Sequence, residues 1–356
     1  MKSWFKKFLV SLIALILVVI STVYIIDPFN YYRWNDNRWM DSRFVTPGII
    51  KNYDFNYAII GSSMIQNMQM DWFKEKGYHS PVKLTKGGMN INEELLVMDV
   101  LLKNDIKVDT MLNIDIHSIL SCEKIQPVSD YYPDYLFNEI ILDDYKYWFN
   151  FDALFYYVPV NVIADLMKGL GIPYREGVKD KLDIDKIGEW ISSYDFGKDI
   201  VLKNYLDENQ NVSQIKEHTN LEIENKVDEI VNYLELYCER INKQNHILTI
   251  AFPPYSVLYW KDQLVKGTLD DIIYTKYYLI QKLLEIPNVK IIDLQSLPQI
   301  NDLNNYKDLT HYNLDLQKIY ADSIFDDKYT IEEIEQLENN LNILNEYINE
   351  FSLKTK

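Results

Sequence analysis

The sequence predicts an α/β protein: a three-layer αβα domain on a parallel sheet, with an aromatic-rich helical insertion and an N-terminal transmembrane helix. Three observations predict it. Short continuous apolar runs, each ended by small or polar residues, alternate with stretches of helical period, the pattern of a parallel sheet covered on both faces. Residues 118–220 break that alternation with a run of aromatic side chains. Ahead of both lies an uncharged apolar segment of membrane length. With 356 residues and 47% hydrophobic content, the chain is one large domain with insertions or two domains, and wholesale disorder is excluded.

Residues 1–27 form a Lys-rich end and an anchor. Lys2, Lys6 and Lys7 precede residues 8–26, nineteen positions without a charge, and Asp27-Pro28 ends the run. At 1.5 Å per residue the run spans about 28 Å, close to the hydrocarbon thickness of a bilayer. The lysines place the N-terminus inside and the remainder outside the cytoplasm, as a single-pass protein of the cell membrane. No small-x-small cleavage site follows, so an uncleaved anchor in contact with membrane lipid is expected in preference to a removed signal peptide. Residues 28–54 are juxtamembrane; Tyr31, Tyr32, Trp34 and Trp39 suit an interfacial belt or packing on the domain that follows.

Residues 55–117 hold the first half of the sheet domain. The run 57–60 ends in Gly61-Ser62-Ser63, the run 82–85 in Lys86-Gly87-Gly88, and the run 110–114 in Asp115-Ile116-His117, with a helix pattern over 93–103. The insertion or cap, 118–220, carries the aromatic stretch 131–157. Its rings suit ordinary packing, with stacking on sugars as the functional alternative. Residues 221–330 resume the alternation: helix 221–241, strand 247–252, helix 269–285, strand 289–292, and a helix-like 316–325. The tail, 331–356, places Ile331, Ile334, Leu337, Leu341, Leu344, Ile348 and Phe351 at helical spacing. Packing back on the domain is expected; a docking helix for a partner is the alternative.

Thirty-six Lys+Arg against 53 Asp+Glu give a net charge of −17, so the basic footprint of a nucleic-acid-binding protein is absent. The excess of Lys over Arg, with abundant Asn, Ile and Tyr, fits a low-GC Gram-positive composition. Cys122 and Cys238 stand far apart without a metal-ligand pattern and read as small buried hydrophobes, with a disulfide between them as the alternative. No HExxH and no His/Cys cluster occurs, so no metal and no cofactor is expected.

In parallel α/β sheets ligands bind beyond the carboxyl ends of the strands, where these polar residues fall. Ser63 follows the first strand, on a turn expected to enter a helix, with main-chain N–H groups directed at the same space. A serine needs a base within hydrogen-bond reach. His311 has Asp308 three residues upstream, a spacing that lets a carboxylate reach Nδ1 and set the tautomer. Alone that spacing is weakly specific; the order of the elements adds to it. Gly87-Gly88 lets N–H groups of Ser63, Gly87 and Gly88 surround an oxyanion. Ser62, Asn90, Asn113, Asp115 and His117 are further candidates for substrate or oxyanion contacts.

Gly61-Ser62-Ser63, a glycine turn after the second strand, a polar residue after the third and Asp308-Leu309-Thr310-His311 resemble the SGNH/GDSL hydrolase superfamily over about residues 55–325. The resemblance implies Ser63 as nucleophile and Asp308 and His311 as its triad partners, on an SGNH/flavodoxin-like fold. This chain has Gly-Ser-Ser in place of Gly-Asp-Ser, and Asn113-Ile114-Asp115-Ile116-His117 where Gly-x-Asn-Asp is usual. Gly-Ser-Ser with an anchor is similar to the DltD-like branch, which implies D-alanylation of teichoic acid. The Asp115-x-His117 pair is similar to the AlgJ/AlgX-like branch, which implies a multi-spanning membrane O-acyltransferase as partner. Asp308/His311 is preferred over Asp115/His117 as the catalytic pair, and Ser62 remains a second candidate nucleophile.

The expected function is an extracytoplasmic serine O-acyltransferase or esterase acting on a cell-surface glycopolymer, a polysaccharide or teichoic acid. The alternative is a non-catalytic polysaccharide-binding or scaffold protein of an acyltransferase complex, and a third reading is an outward-facing lipase or thioesterase. In the bland reading Gly61-Ser62-Ser63 only caps a helix and His311 is a surface histidine.

Overall fold

The computed structural model describes residues 2–35, 42–129, 132–138, 140–172, 184–208 and 218–352. Trp39 and Tyr131 lie outside the described residues, as do parts of the 118–220 stretch. Helices α1 (Lys2–Ile26) and α2 (Ser42–Asn52) precede strand β1 (Tyr57–Gly61), followed by α3 (Met70–Lys74), β2 (Pro81–Thr85), α4 (Ile91–Lys103), β3 (Asp109–Asn113) and α5 (Ile116–Ser121). Then come α6 (Asp134–Phe137), α7 (Asp144–Trp148), a π-turn over Ala153–Tyr157, α8 (Val158–Gly169) and α9 (Lys198–Glu208). The order closes with α10 (Asn220–Asn242), β4 (Leu248–Phe252), α11 (Val257–Lys266), α12 (Leu269–Leu283), β5 (Val289–Asp293), α13 (Leu314–Phe325) and α14 (Ile334–Glu350).

Contacts divide the chain into two compact units, Met1–Asp54 with Ser129–Ile184, and Phe55–Val128 with Asp185–Lys356. The 118–220 stretch is therefore shared: 129–184 groups with the N-terminal residues, and 118–128 and 185–220 group with the sheet.

The sheet unit is α/β. Its five strands are all parallel, in the order β2-β1-β3-β4-β5, and each coincides with an apolar run. Ile59, Ile60, Leu84, Met111, Leu112, Ile250 and Ile292 are buried, because a parallel sheet has no solvent face and its strands read as unbroken apolar segments. The strand order reverses between β1 and β3, the crevice at which such sheets bind ligands. Helix α10 packs on α4, α5 and α12; α11 and α14 join α12, while α13 packs with α3.

Helix α14 lies back on this unit through buried Leu337, Leu341, Leu344 and Ile348. Asn340 donates to Asp293 Oδ2 (3.1 Å), and Lys276 donates to Asp293 Oδ1 (2.7 Å), so the middle of the helix is tied to a buried ion pair at the end of β5. Burial pushes Lys276 down, against the pull of Asp293.

In the other unit, residues 3–18 of α1 are exposed, and near the end of the helix Val23 is buried beside exposed Tyr24 and Ile25. Asp27, at φ +44°, turns the chain out of α1. Its carboxylate accepts the N–H groups of Tyr31 (3.0 Å), Tyr32 and Arg33 (both 2.9 Å) and the Tyr147 hydroxyl (2.9 Å). Burial pushes this carboxyl up, in opposition to those donors. The juxtamembrane aromatics pack inward: Phe29 stacks on Phe44 at 4.1 Å, and Trp148 donates to the Tyr32 hydroxyl (2.7 Å). By length and composition α1 is able to cross a membrane, and it is the one such helix among the described residues.

Candidate active site

Ser63 sits in turns over residues 62–67 that follow β1, and α3 begins only at Met70. The expected helix directly behind the serine is absent, and with it the helix macrodipole. The main chain closes separate turns instead: Ile65 N–H donates to Ser62 O (3.3 Å) and Met68 N–H to Ile65 O (3.1 Å). Gln317 of α13 takes the Met64 carbonyl (2.6 Å) that a helix would have used.

Gly61 must be glycine. A Cβ there would lie 2.8 Å from the Asn113 Cβ and 2.9 Å from Ile65 Cδ1, so β1 and β3 approach each other at this point only without a side chain.

The Ser63 hydroxyl lies 2.8 Å from His311 Nε2. The other ring nitrogen, Nδ1, lies 2.8 Å from Asp308 Oδ2 and 3.0 Å from Oδ1. With Nδ1–H donating to the carboxylate, Nε2 is left to accept the serine proton. Asp308 Oδ1 also accepts the main-chain N–H groups of His311 (2.8 Å) and Thr310 (3.0 Å), which ties the carboxylate to the turn carrying its histidine. Burial pushes the Asp308 carboxyl up, but the hydrogen bond and charge of His311 and these N–H groups outweigh it and hold the acid well below the usual carboxylate range. Ser256, capping α11 after β4, donates its hydroxyl to Leu309 O (2.7 Å), and Tyr306 donates its own to Pro254 O (2.8 Å). These bonds fix the 306–312 turn at the carboxyl edge of the sheet.

Gly61 pairs with Thr85, so Ser63 and Gly87 each stand two residues beyond paired strand positions. Gly87 and Gly88 form an exposed turn, with Gly88 at φ +66°. Among the described residues the N–H groups of Ser63, Gly87 and Gly88 donate to no protein group.

The remaining candidates hold structural positions. Ser62 is buried and its hydroxyl accepts from Met64 N–H at 3.5 Å. Asn90 caps α4, accepting from Glu93 N–H (3.1 Å) while Glu93 accepts from Asn90 N–H (3.2 Å). Asn113 is buried, accepts from the Tyr320 hydroxyl (2.9 Å), and has an Nδ2 without a partner. Asp115 caps α5 by accepting the main-chain N–H of His117 (3.0 Å), and the His117 side chain is exposed. That bond is main-chain, so Asp115/His117 does not form the carboxylate–imidazole contact seen at Asp308/His311. Burial pushes Asp115 up, and burial with the charges of Asp115 and Glu93 pushes Glu94 well above the carboxylate range.

Trp190 was not among the candidates. Its indole N–H donates to Ser63 O (3.1 Å), and its ring meets the His311 imidazole edge-on at 5.2 Å. Asn67 Oδ1 accepts the N–H groups of Trp190 and Ile191, both at 3.0 Å. Buried Lys83 donates to Glu189 (3.2 Å) and to Gln66 O (2.8 Å), fastening the same loop to β2. No local pattern marks a tryptophan 127 residues downstream of the serine it touches.

Among the described residues, no group of three or more His, Cys, Asp or Glu is placed to hold a metal ion. No protein-family model matches this chain, and no curated protein matches it. Chemically, the site holds a hydroxyl with a base in reach, a carboxylate orienting that base, and unused N–H donors on the neighbouring turns.

Proposed function

We propose that this chain is an extracytoplasmic, membrane-anchored serine O-acyltransferase or esterase acting on a cell-surface polysaccharide or teichoic acid. The observation that carries the reading is the unbroken relay from Ser63 Oγ through His311 to Asp308, at 2.8 Å on either side of the imidazole. Covalent acyl transfer requires this relation of nucleophile, base and orienting acid.

Ser63 Oγ attacks the acyl carbonyl carbon as its proton passes to His311 Nε2. The carbonyl electron pair moves onto oxygen, where the N–H groups of Ser63 and of Gly87 or Gly88 receive the charge. Collapse of the adduct expels the leaving oxygen, which takes the proton from Nε2 and leaves Ser63 acylated. A second hydroxyl, from water in hydrolysis or from a sugar or polyol in transfer, then attacks the acyl carbon with His311 again as base, and this adduct collapses by expelling Ser63 Oγ, which takes the proton back from Nε2. Asp308 steadies the imidazolium in both halves.

The strand order, the order Ser…Asp…His along the chain and the two helix groups, α4/α5/α10/α11/α12/α14 and α3/α13, support an SGNH/flavodoxin-like αβα arrangement with one group on each face. The membrane-length α1, with Lys2, Lys6 and Lys7 ahead of it, supports an outward topology and a substrate held at the cell surface, and the resemblance in sequence suggests a multi-spanning O-acyltransferase as the source of acyl groups. In the test, Ser63→Ala lowers nitrophenyl-ester turnover by about a thousandfold or more and changes the acylation of the surface polymer, downward where the chain transfers acyl groups and upward where it hydrolyses them. Unchanged turnover and unchanged acylation contradict the proposal.

A further inference from the structure

Residues 151–169 run as a continuous helical stretch through the π-turn into α8. One side is spoken for: Ala153, Val158 and Asn161 are buried, and α8 packs on α1. The other side is not. Phe151 is 72% exposed, Phe155 68%, Leu166 60% and Leu170 72%, with Ile163 and Tyr156 about half exposed between them. Ile163, Leu166 and Leu170 follow helical 3/4 spacing, and the Phe151 and Phe155 rings lie 4.8 Å apart. An apolar strip of this length on a protein surface marks a contact with another molecule or a membrane.

What covers it follows from α1. Tyr157, the last residue of the π-turn, meets Phe29 ring to ring at 5.3 Å, and Phe29 stands three residues beyond the end of α1. The helical stretch that carries the strip thus runs past the end of the one membrane-length helix of the described residues. Tyr24 is exposed near that end and Tyr32 packs on it at 5.0 Å, the kind of side chain that settles at a lipid–water boundary. Asp165 and Lys168 are the only charges on α8, so attraction to anionic headgroups contributes little.

We propose that residues 151–170 lie in the plane of the lipid–water interface, with Phe151, Phe155, Leu166 and Leu170 among the acyl chains. The unit then holds the bilayer twice, through α1 across it and through α8 along it. This goes beyond the acyl-transfer reading and stands apart from it; it rests on α1 crossing the bilayer.

The test uses the full chain in phosphatidylcholine/phosphatidylglycerol vesicles at low protein-to-lipid ratio. Phe155→Cys, Leu166→Cys and Leu170→Cys are made singly in a Cys122→Ser, Cys238→Ala background and labelled with an environment-sensitive fluorophore. Leu12→Cys on α1 and Leu236→Cys on α10 serve as references. Shallow doxyl-lipid quenches the three labels at least about threefold more than the Leu236 label, with little dependence on phosphatidylglycerol content. Quenching no greater than at Leu236, with Leu12 quenched, overturns the inference while leaving the anchor intact. Shielding only at high protein density (a second copy) or only in native membranes (another membrane protein) overturns it too. Should the labelled variants fail to fold, hydroxyl-radical footprinting of the unaltered chain in nanodiscs decides. Phe151 and Phe155 are then protected relative to Leu236, and equal reactivity overturns the inference.

Discussion

Ser63, His311 and Asp308 meet because each is fixed by main-chain chemistry rather than by its own side chain alone. Asp308 is tied to the N–H groups of the turn that carries His311, so acid and base move as one piece. Their contact was legible in the sequence, since a three-residue spacing is local. The engagement of Ser63, 248 residues away, rested on strand order. Asp115-x-His117 has an equally local spacing, yet the structure spends Asp115 on capping α5. A carboxylate before a helix serves a cap as readily as a catalytic pair, and sequence alone does not separate the two. Glu94 gives a prediction at this scale. It is buried with Oε2 unpaired, and its carboxyl is pushed well above its ordinary value. Because its proton is bound more tightly in the folded chain, Glu94 leaves stability untouched below its unfolded pKa of about 4.3 and erodes it as pH rises beyond that. Glu94→Gln is therefore expected to raise Tm at pH 8 and to change it little at pH 4, as read by thermal unfolding at both.

Among the elements, the five strands were legible because a parallel sheet leaves a continuous apolar signature. The heptad-like row along α14 likewise identified its buried face. The turns after Ser63 were not legible: Gln317, from another element far along the chain, takes the Met64 carbonyl there. The 185–197 loop was equally hidden, because its role depends on long-range partners, Lys83 on β2 and Asn67 beyond β1. That loop makes a sharp prediction. Trp190→Phe keeps a ring beside His311 but deletes the donor to Ser63 O, a bond worth about 1 kcal/mol. Ester turnover is expected to fall by more than the loss of about 2–4 °C in Tm accounts for at the assay temperature. An equal loss of folded protein and activity would reduce Trp190 to a packing residue.

For the whole molecule, a net charge of −17 and a membrane-length helix set the working surroundings more than any single contact does. The division into two units was only partly legible. Residues 118–220 stood out as a break in the strand–helix alternation, but not that 129–184 joins residues 1–54 while 185–220 joins the sheet. Aromatic composition announces a packed surface without naming its partner, and Phe29, Tyr32 and Tyr147 found theirs over a hundred residues apart along the chain. At this scale the account predicts that the chain stays in the membrane fraction through alkaline carbonate washing. External protease on intact cells is expected to remove the sheet unit; full protection would reverse the topology.

The acyl-transfer reading is tested most directly by treating the purified full-length chain with a fluorophosphonate and locating the adduct by mass spectrometry. The account predicts one covalent phosphonyl group on Ser63, formed at least about a hundredfold more slowly in His311→Ala and Asp308→Asn. Labelling that ignores both substitutions, or an adduct on any other serine with Ser63 untouched, would contradict it.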